Sequence, residues 1–170
     1  KAFESIFLPL AKWSMLLAGN YRCVDRDGVR PIRDAVHENL GKSRLIYQHV
    51  DAIARNLGAD PADAVPFEKY ANAAENLLKP SSVARAVDGG SPVIERVDML
   101  VQLIGRSLGM SNPDIDEIVA TVDGRLAANQ RPPETWPSES ADPYFLVIVS
   151  SYLARAEPSG SAPFFCPPPM

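Results

Sequence analysis

The chain has 170 residues, 46% of them hydrophobic and 22% charged, which suits one soluble globular domain with a real core. Its formal net charge of −4 and pI near 5.2 argue against a sequence-independent phosphate-backbone binder, which needs a basic face, but leave room for a small anionic ligand held by a local Lys or Arg cluster. The two cysteines, Cys23 and Cys166, lie far apart and show no CxxC or Cys/His spacing; this predicts free thiols, no metal site and a reducing, cytoplasmic setting.

Strand signals are almost absent and the expected class is all-α. Ala2 to Asn20 is apolar and helical in period, with Pro9 expected to bend or interrupt it and Gly19-Asn20 to stop it. Glu4, Lys12 and the lack of a small-residue cleavage pattern argue against reading this stretch as a signal peptide. Asp25 to Gly28 reads as a turn. Pro31 to Leu57 is the longest helical pattern, with Ile32, Val36, Leu40, Tyr47, Val50, Ala54 and Leu57 on one stripe, Gly58 as the stop and Gly41 as a kink or close contact. His37 and His49, on that pattern, lack a partner at ligand spacing and read as structural or surface residues.

Phe67 to Leu78 is a further helix, stopped by Pro80, and Ser81 or Ser82 caps a short helix that ends at Gly89-Gly90. Ser91, with Pro92 behind it, is the expected cap of the next helix, in which Val93, Val97, Leu100, Val101, Ile104 and Leu108 form the buried stripe. Glu95, Asp98, Gln102 and Arg106 then fall on the opposite side. Asn112-Pro113 opens another helix, whose apolar face is Ile115, Ile118, Val119, Val122 and Leu126. The expected organisation is a helical domain over 1–128, a linker over 129–141, a terminal helix over 142–157, with a buried strand as its alternative, and a Pro-rich tail over 158–170, disordered alone. The apolar run from Tyr144 to Val149 is far short of the roughly 20 residues of a membrane span.

The joint KPSSVARAVDGGSPVIERVDML, from Lys79 to Leu100, resembles the C-terminal domain of the ketopantoate reductase (2-dehydropantoate 2-reductase) family. In that family a Ser-Ser pair starts a short helix, a loop follows, and a Glu near the start of the next long helix faces the cleft. The matching residues are Ser81-Ser82, Asp88-Gly89-Gly90 and Glu95, followed by Asp98; Ala74-Glu75-Asn76 echoes the family's Ala-Glu-Asn. Upstream, Lys12 with Trp13 beside it and Asn20 eight residues on echo the family's catalytic Lys and its following Asn, while the intermediate position holds Leu16 where the family has Asn.

The resemblance covers residues 5 to 130 and implies an all-α fold like the C-terminal domain of 6-phosphogluconate dehydrogenase. It implies Lys12 and Glu95 as catalytic residues, and Asn20, Ser82 and Asp98 as substrate-binding ones. Reduction of a ketone by hydride leaves charge on the carbonyl oxygen, which a Lys ammonium can stabilise and protonate. No G-x-G-x-x-G follows a strand in residues 1–170, so the implied role is the substrate and dimerisation half of an NADP-dependent oxidoreductase, inactive alone. NADPH would enter through a Rossmann half, and the expected partners are a second copy or that nucleotide-binding domain, with no nucleic acid and no membrane.

The same residues also have plainer roles: Lys12 snorkelling to the surface, the serines as caps, Glu95 and Asp98 on a solvated first turn. On that reading the chain is a stand-alone helical interaction or scaffold module without catalysis, with Trp136 and the PFFCPPP tail as docking segments.

Overall fold

A computed structural model describes the backbone from residue 4 to residue 131 and the side chains from residue 10. The linker from 132 on, the terminal helix over 142–157 and the tail over 158–170 lie outside the described residues. Seven α-helices make up the described chain: α1 (Glu4–Met15), α2 (Ile32–His37), α3 (Leu40–Asn56), α4 (Phe67–Ala74), α5 (Ser82–Asp88), α6 (Val97–Ser107) and α7 (Pro113–Asn129). Among the described residues there is no strand, only one isolated bridge between Val24 and Val29 that closes the expected Asp25–Gly28 turn.

The first helix differs from expectation. It runs through Pro9 and then, instead of stopping at Gly19-Asn20, widens into a π turn over Leu16–Asn20 and tightens into a 3-10 turn over Tyr21–Cys23. Leu17, Ala18 and Gly19 in the π turn are buried at the centre of the domain, where α2, α3, α5 and α6 all reach them. A π turn inside a helix is rare and often sits at functional positions.

The long pattern from Pro31 to Leu57 is two helices. Asn39 leaves the helical region at φ −142°, and its side chain accepts the Lys42 N–H at 2.9 Å, so it caps α3 and breaks the run two residues before Gly41. Open space surrounds Gly41 apart from Asn39 itself, so it marks no close packing. The stop at Gly58 is as expected. With φ +95° it accepts the left-handed cap, and the Gly58 and Ala59 N–H groups close back on Arg55 and Ala54 at 2.9 and 3.1 Å. Ser81 caps α5 and Asn112 caps α7, both as read from the sequence.

The helix after Gly90 departs most. Ser91 Oγ donates to the Val93 carbonyl at 2.7 Å and caps nothing, and the helix starts at Val97. Losing the first five helical positions, 92–96, removes the phase that placed Val93 with Val97. Val93 is 73% exposed, and Leu100 and Leu108 are 45% and 42% exposed, so they belong to no buried stripe. Val97, Val101 and Gly105 face inward, and with them Asp98.

The core gathers Trp13, Leu17, Tyr21, Val36, Ile46, Val50, Ile53, Ala74, Val87, Val101 and Val122, with every α-helix contributing. From α4, Phe67 meets Tyr47 edge-to-face and Tyr70 stacks on it, with ring centres 5.4 and 5.6 Å away. Each histidine N–H reaches a carbonyl, His37 to Ala71 at 3.0 Å and His49 to Met110 at 3.1 Å, tying α2 to α4 and α3 to the α6–α7 loop.

Candidate functional site

The joint between α4 and α5 folds back on the start of α2. The Ile32 and Arg33 N–H groups donate to the Lys79 and Leu77 carbonyls at 3.2 and 3.1 Å, which fixes the segment from Leu77 to Pro80 as a wall. Ser81 then does two things with one hydroxyl. Its Oγ accepts the Ala84 N–H at 3.1 Å, capping α5, and donates to the Asn20 carbonyl at 2.7 Å, 61 positions away. That bond pins the start of α5 to the end of the π turn.

The result is a groove of about 470 Å³ in which Asn20 and Ser82 share a wall. Ile32, Leu77, Leu78 and Pro80 make it apolar, with Leu78 59% exposed. Its charged lining residues are Lys79 and Arg85; no acidic residue lines it, and neither cation has an ion-pair partner among the described residues. A groove of this kind suits a small ligand with an apolar body and a negative end.

The five expected site residues are distributed unevenly. Asn20 and Ser82 both line the groove. Lys12 is exposed on α1, one helical stretch before Asn20, and does not line the groove. Eight residues of α-helix would leave Lys12 and Asn20 about 80° apart, at roughly 100° per residue. The wider i→i+5 turn of Leu16–Asn20 rotates less per residue and narrows that angle. Glu95 is also exposed, but its backbone is tethered nearby: the Tyr21 hydroxyl donates to the Glu95 carbonyl at 2.6 Å and accepts the Val97 N–H at 2.9 Å. Burial, above all, pushes the Tyr21 hydroxyl up to about 12.

Asp98 does not point at a cleft. It is fully buried, and the Arg96 guanidinium grips both of its oxygens, Nε to Oδ1 and Nη2 to Oδ2 at 2.9 Å each. Arg96 Nη1 continues to Asp123 on α7. Burial disfavours the Arg96 charge, but the two carboxylates outweigh it and raise its affinity for the proton. The shifted start of α6 turned Asp98 inward, and Arg96, just before the first turn, supplies its counter-charge. Asp98 thus holds α6 to α7 through Arg96 and is not open to a substrate.

Three residues that matter here were not singled out from the sequence. Lys79 and Arg85 flank the serine pair but carry no pattern of their own. Arg22 is the only charge between Lys12 and Asp25, a visible signal of a charge placed inside a core segment. Among the described residues, no helix is long and apolar enough to cross a membrane. No protein-family model, curated protein or solved structure matches this chain.

Proposed function

We propose that this chain is the substrate-binding and dimerisation half of a ketopantoate-reductase-like, NADP-dependent oxidoreductase. The supporting observation is the convergence of Asn20 and Ser82 on one groove whose charged lining is wholly cationic. In this reading the substrate is a small 2-keto acid. Its carboxylate meets Lys79 and Arg85, its polar groups meet Asn20 and Ser82, and its hydrocarbon rests on Leu77 and Leu78. NADPH, held by a Rossmann half and not by these residues, supplies the hydride to the carbonyl carbon. Lys12, which lies outside the groove, is the proton donor to the carbonyl oxygen in this reading only with the keto end of the substrate extending beyond the groove toward α1.

Dimerisation falls to α6, where Leu100 and Leu103 are 45% and 55% exposed on one helix face. That same face supports the second reading, a helical interaction module without catalysis.

The test is an NMR titration of the 170-residue chain with ketopantoate. Saturable shifts at Asn20 and Ser82, lost in Ser82→Ala, are expected. Absence of any shift at Asn20, Ser82, Lys79 and Arg85 at millimolar keto acid would sink the substrate reading and leave the interaction module.

A further inference from the structure

A second polar cleft lies on another part of the domain and shares no lining residue with the groove. At its base is Arg22, only 7% exposed. Burying a guanidinium is costly unless a counter-charge accompanies it. Arg22 has none: no carboxylate of the described residues lies within 4.0 Å of it. Its Nη1 donates to two neutral oxygens, the Ala18 carbonyl at 3.1 Å and Ser43 Oγ at 2.6 Å. Its other guanidinium nitrogens have no protein acceptor among the described residues, yet none is a sealed orphan, so they open toward the cleft.

The position of Arg22 is fixed from both sides. Ser43 Oγ donates to the Val36 carbonyl at 2.7 Å, so the hydroxyl presents a lone pair to the guanidinium. The Arg22 carbonyl accepts Arg30 Nε–H at 2.9 Å. A side chain held in this way, with one edge of its fork bonded to protein and the rest free, is pre-organised for an oxyanion.

The charge around it selects the valence. Arg22, Arg26, Arg30 and Lys42 line the cleft against Asp25, Asp114 and Glu117, and Glu38 pairs with Arg30 from outside the lining, so four positive charges face four negative ones. The acids are already engaged: Lys42 Nζ lies 3.0 Å from both Asp114 and Glu117, and Arg30 lies 3.5 Å from Asp25. Burial lowers the Arg22 proton affinity and Arg30 adds to that, while Asp114 and Glu38, beyond ion-pair reach of Arg22, offset only part of it. The cleft measures about 310 Å³, room for a metabolite-sized molecule and not for a chain segment of any length.

We propose that this cleft is a second ligand site, for a small monocarboxylate bound through Arg22. With the surrounding charges balanced, a singly charged carboxylate suits the cleft better than a phosphate dianion, and the planar fork matches a carboxylate edge. The site is independent of the keto-acid groove, and occupation of it would tie the 3-10 turn over Tyr21–Cys23 to α3 and α7.

The experiment follows the arginine Nε–H signals of the uniformly ¹⁵N-labelled full chain during titration with sodium acetate, sodium phosphate and sodium chloride at matched ionic strength. A saturable shift of the Arg22 signal with acetate in the millimolar range, absent with chloride and lost in Arg22→Gln, is expected. Should Arg22→Gln fail to fold, Thr121→Trp, which fills the cleft from its α7 wall, must abolish the acetate response while leaving circular dichroism unchanged. A shift that grows linearly and equally with chloride overturns the proposal, as does an acetate response that survives Thr121→Trp. Saturation by phosphate without acetate overturns the carboxylate assignment. Signals from Asn20 and Ser82 are read separately, so failure at either site leaves the other reading intact.

Discussion

The Tyr70 hydroxyl occupies the place where a side chain at residue 19 would begin: a Cβ built on Gly19 would lie 1.9 Å from Tyr70 Oη and 3.3 Å from its Cζ. Tyr70 Oη–H donates to the Met15 carbonyl at 3.2 Å, at the entrance to the π turn. The glycine therefore lets α4 close over the widened backbone. Gly19→Ala is expected to destabilise the domain by about 1–3 kcal/mol, the range for overpacking. Tyr70→Phe removes the clashing oxygen, so in the Gly19→Ala/Tyr70→Phe double variant the two costs should sum to less than their parts. Chemical denaturation of the four proteins measures that coupling.

Tyr21 joins the 3-10 turn to the start of α6 through two hydrogen bonds. Tyr21→Phe leaves the Val97 N–H without its acceptor, and a loss of about 1–3 kcal/mol is expected from denaturant midpoints. The pH dependence has a definite sign. The folded-state value is raised from 10.0 to about 12, so the contribution is complete below pH 10 and disappears as pH rises through 12. The wild type should lose stability between those values, and Tyr21→Phe should lose less.

Asp98→Ala strands Arg96 beside a single remaining carboxylate, Asp123, and removes a fully buried partner. A loss of about 3–5 kcal/mol is expected by thermal or chemical unfolding. Replacing both members, Arg96→Met with Asp98→Leu, should cost less than Asp98→Ala alone, because no buried charge is left unpaired.

Adjacent serines should separate in their effects. Ser81→Ala removes both the α5 cap and the bridge to Asn20 and should lower stability by about 1–2 kcal/mol. Ser82 is exposed, so Ser82→Ala should leave the melting temperature within a degree or so and weaken keto-acid binding instead. Calorimetry on the two variants, with the NMR titration beside it, decides this.

If a nucleotide-binding half completes the enzyme, Lys12→Ala should lower kcat by about 10²-fold or more while the fold is retained, since Lys12 is exposed. An unchanged kcat with a raised KM would assign Lys12 to binding only.

Much of the framework could be read directly from residue order, because caps and stops are local chemistry. Asn112-Pro113, Ser81, Gly58 and Gly109 act through their own side chains or their own φ, and each ends or begins a helix where its type implies. The all-α class follows from the periodicity that runs between them. Three features were beyond local reading. The π turn depends on Tyr70, 51 residues from Gly19, packing where a side chain is missing. The inward turn of Asp98 depends on α6 starting at Val97, six residues after the serine that looked like its cap. The placing of Asn20 and Ser82 on one groove depends on a long-range hydrogen bond from Ser81. Spacing along the chain determined which residues could form helices and which side chains carried suitable chemistry. Only the tertiary structure decided which of them meet, because a polar side chain is committed to a partner, a cleft or the core by neighbours that lie tens of residues away.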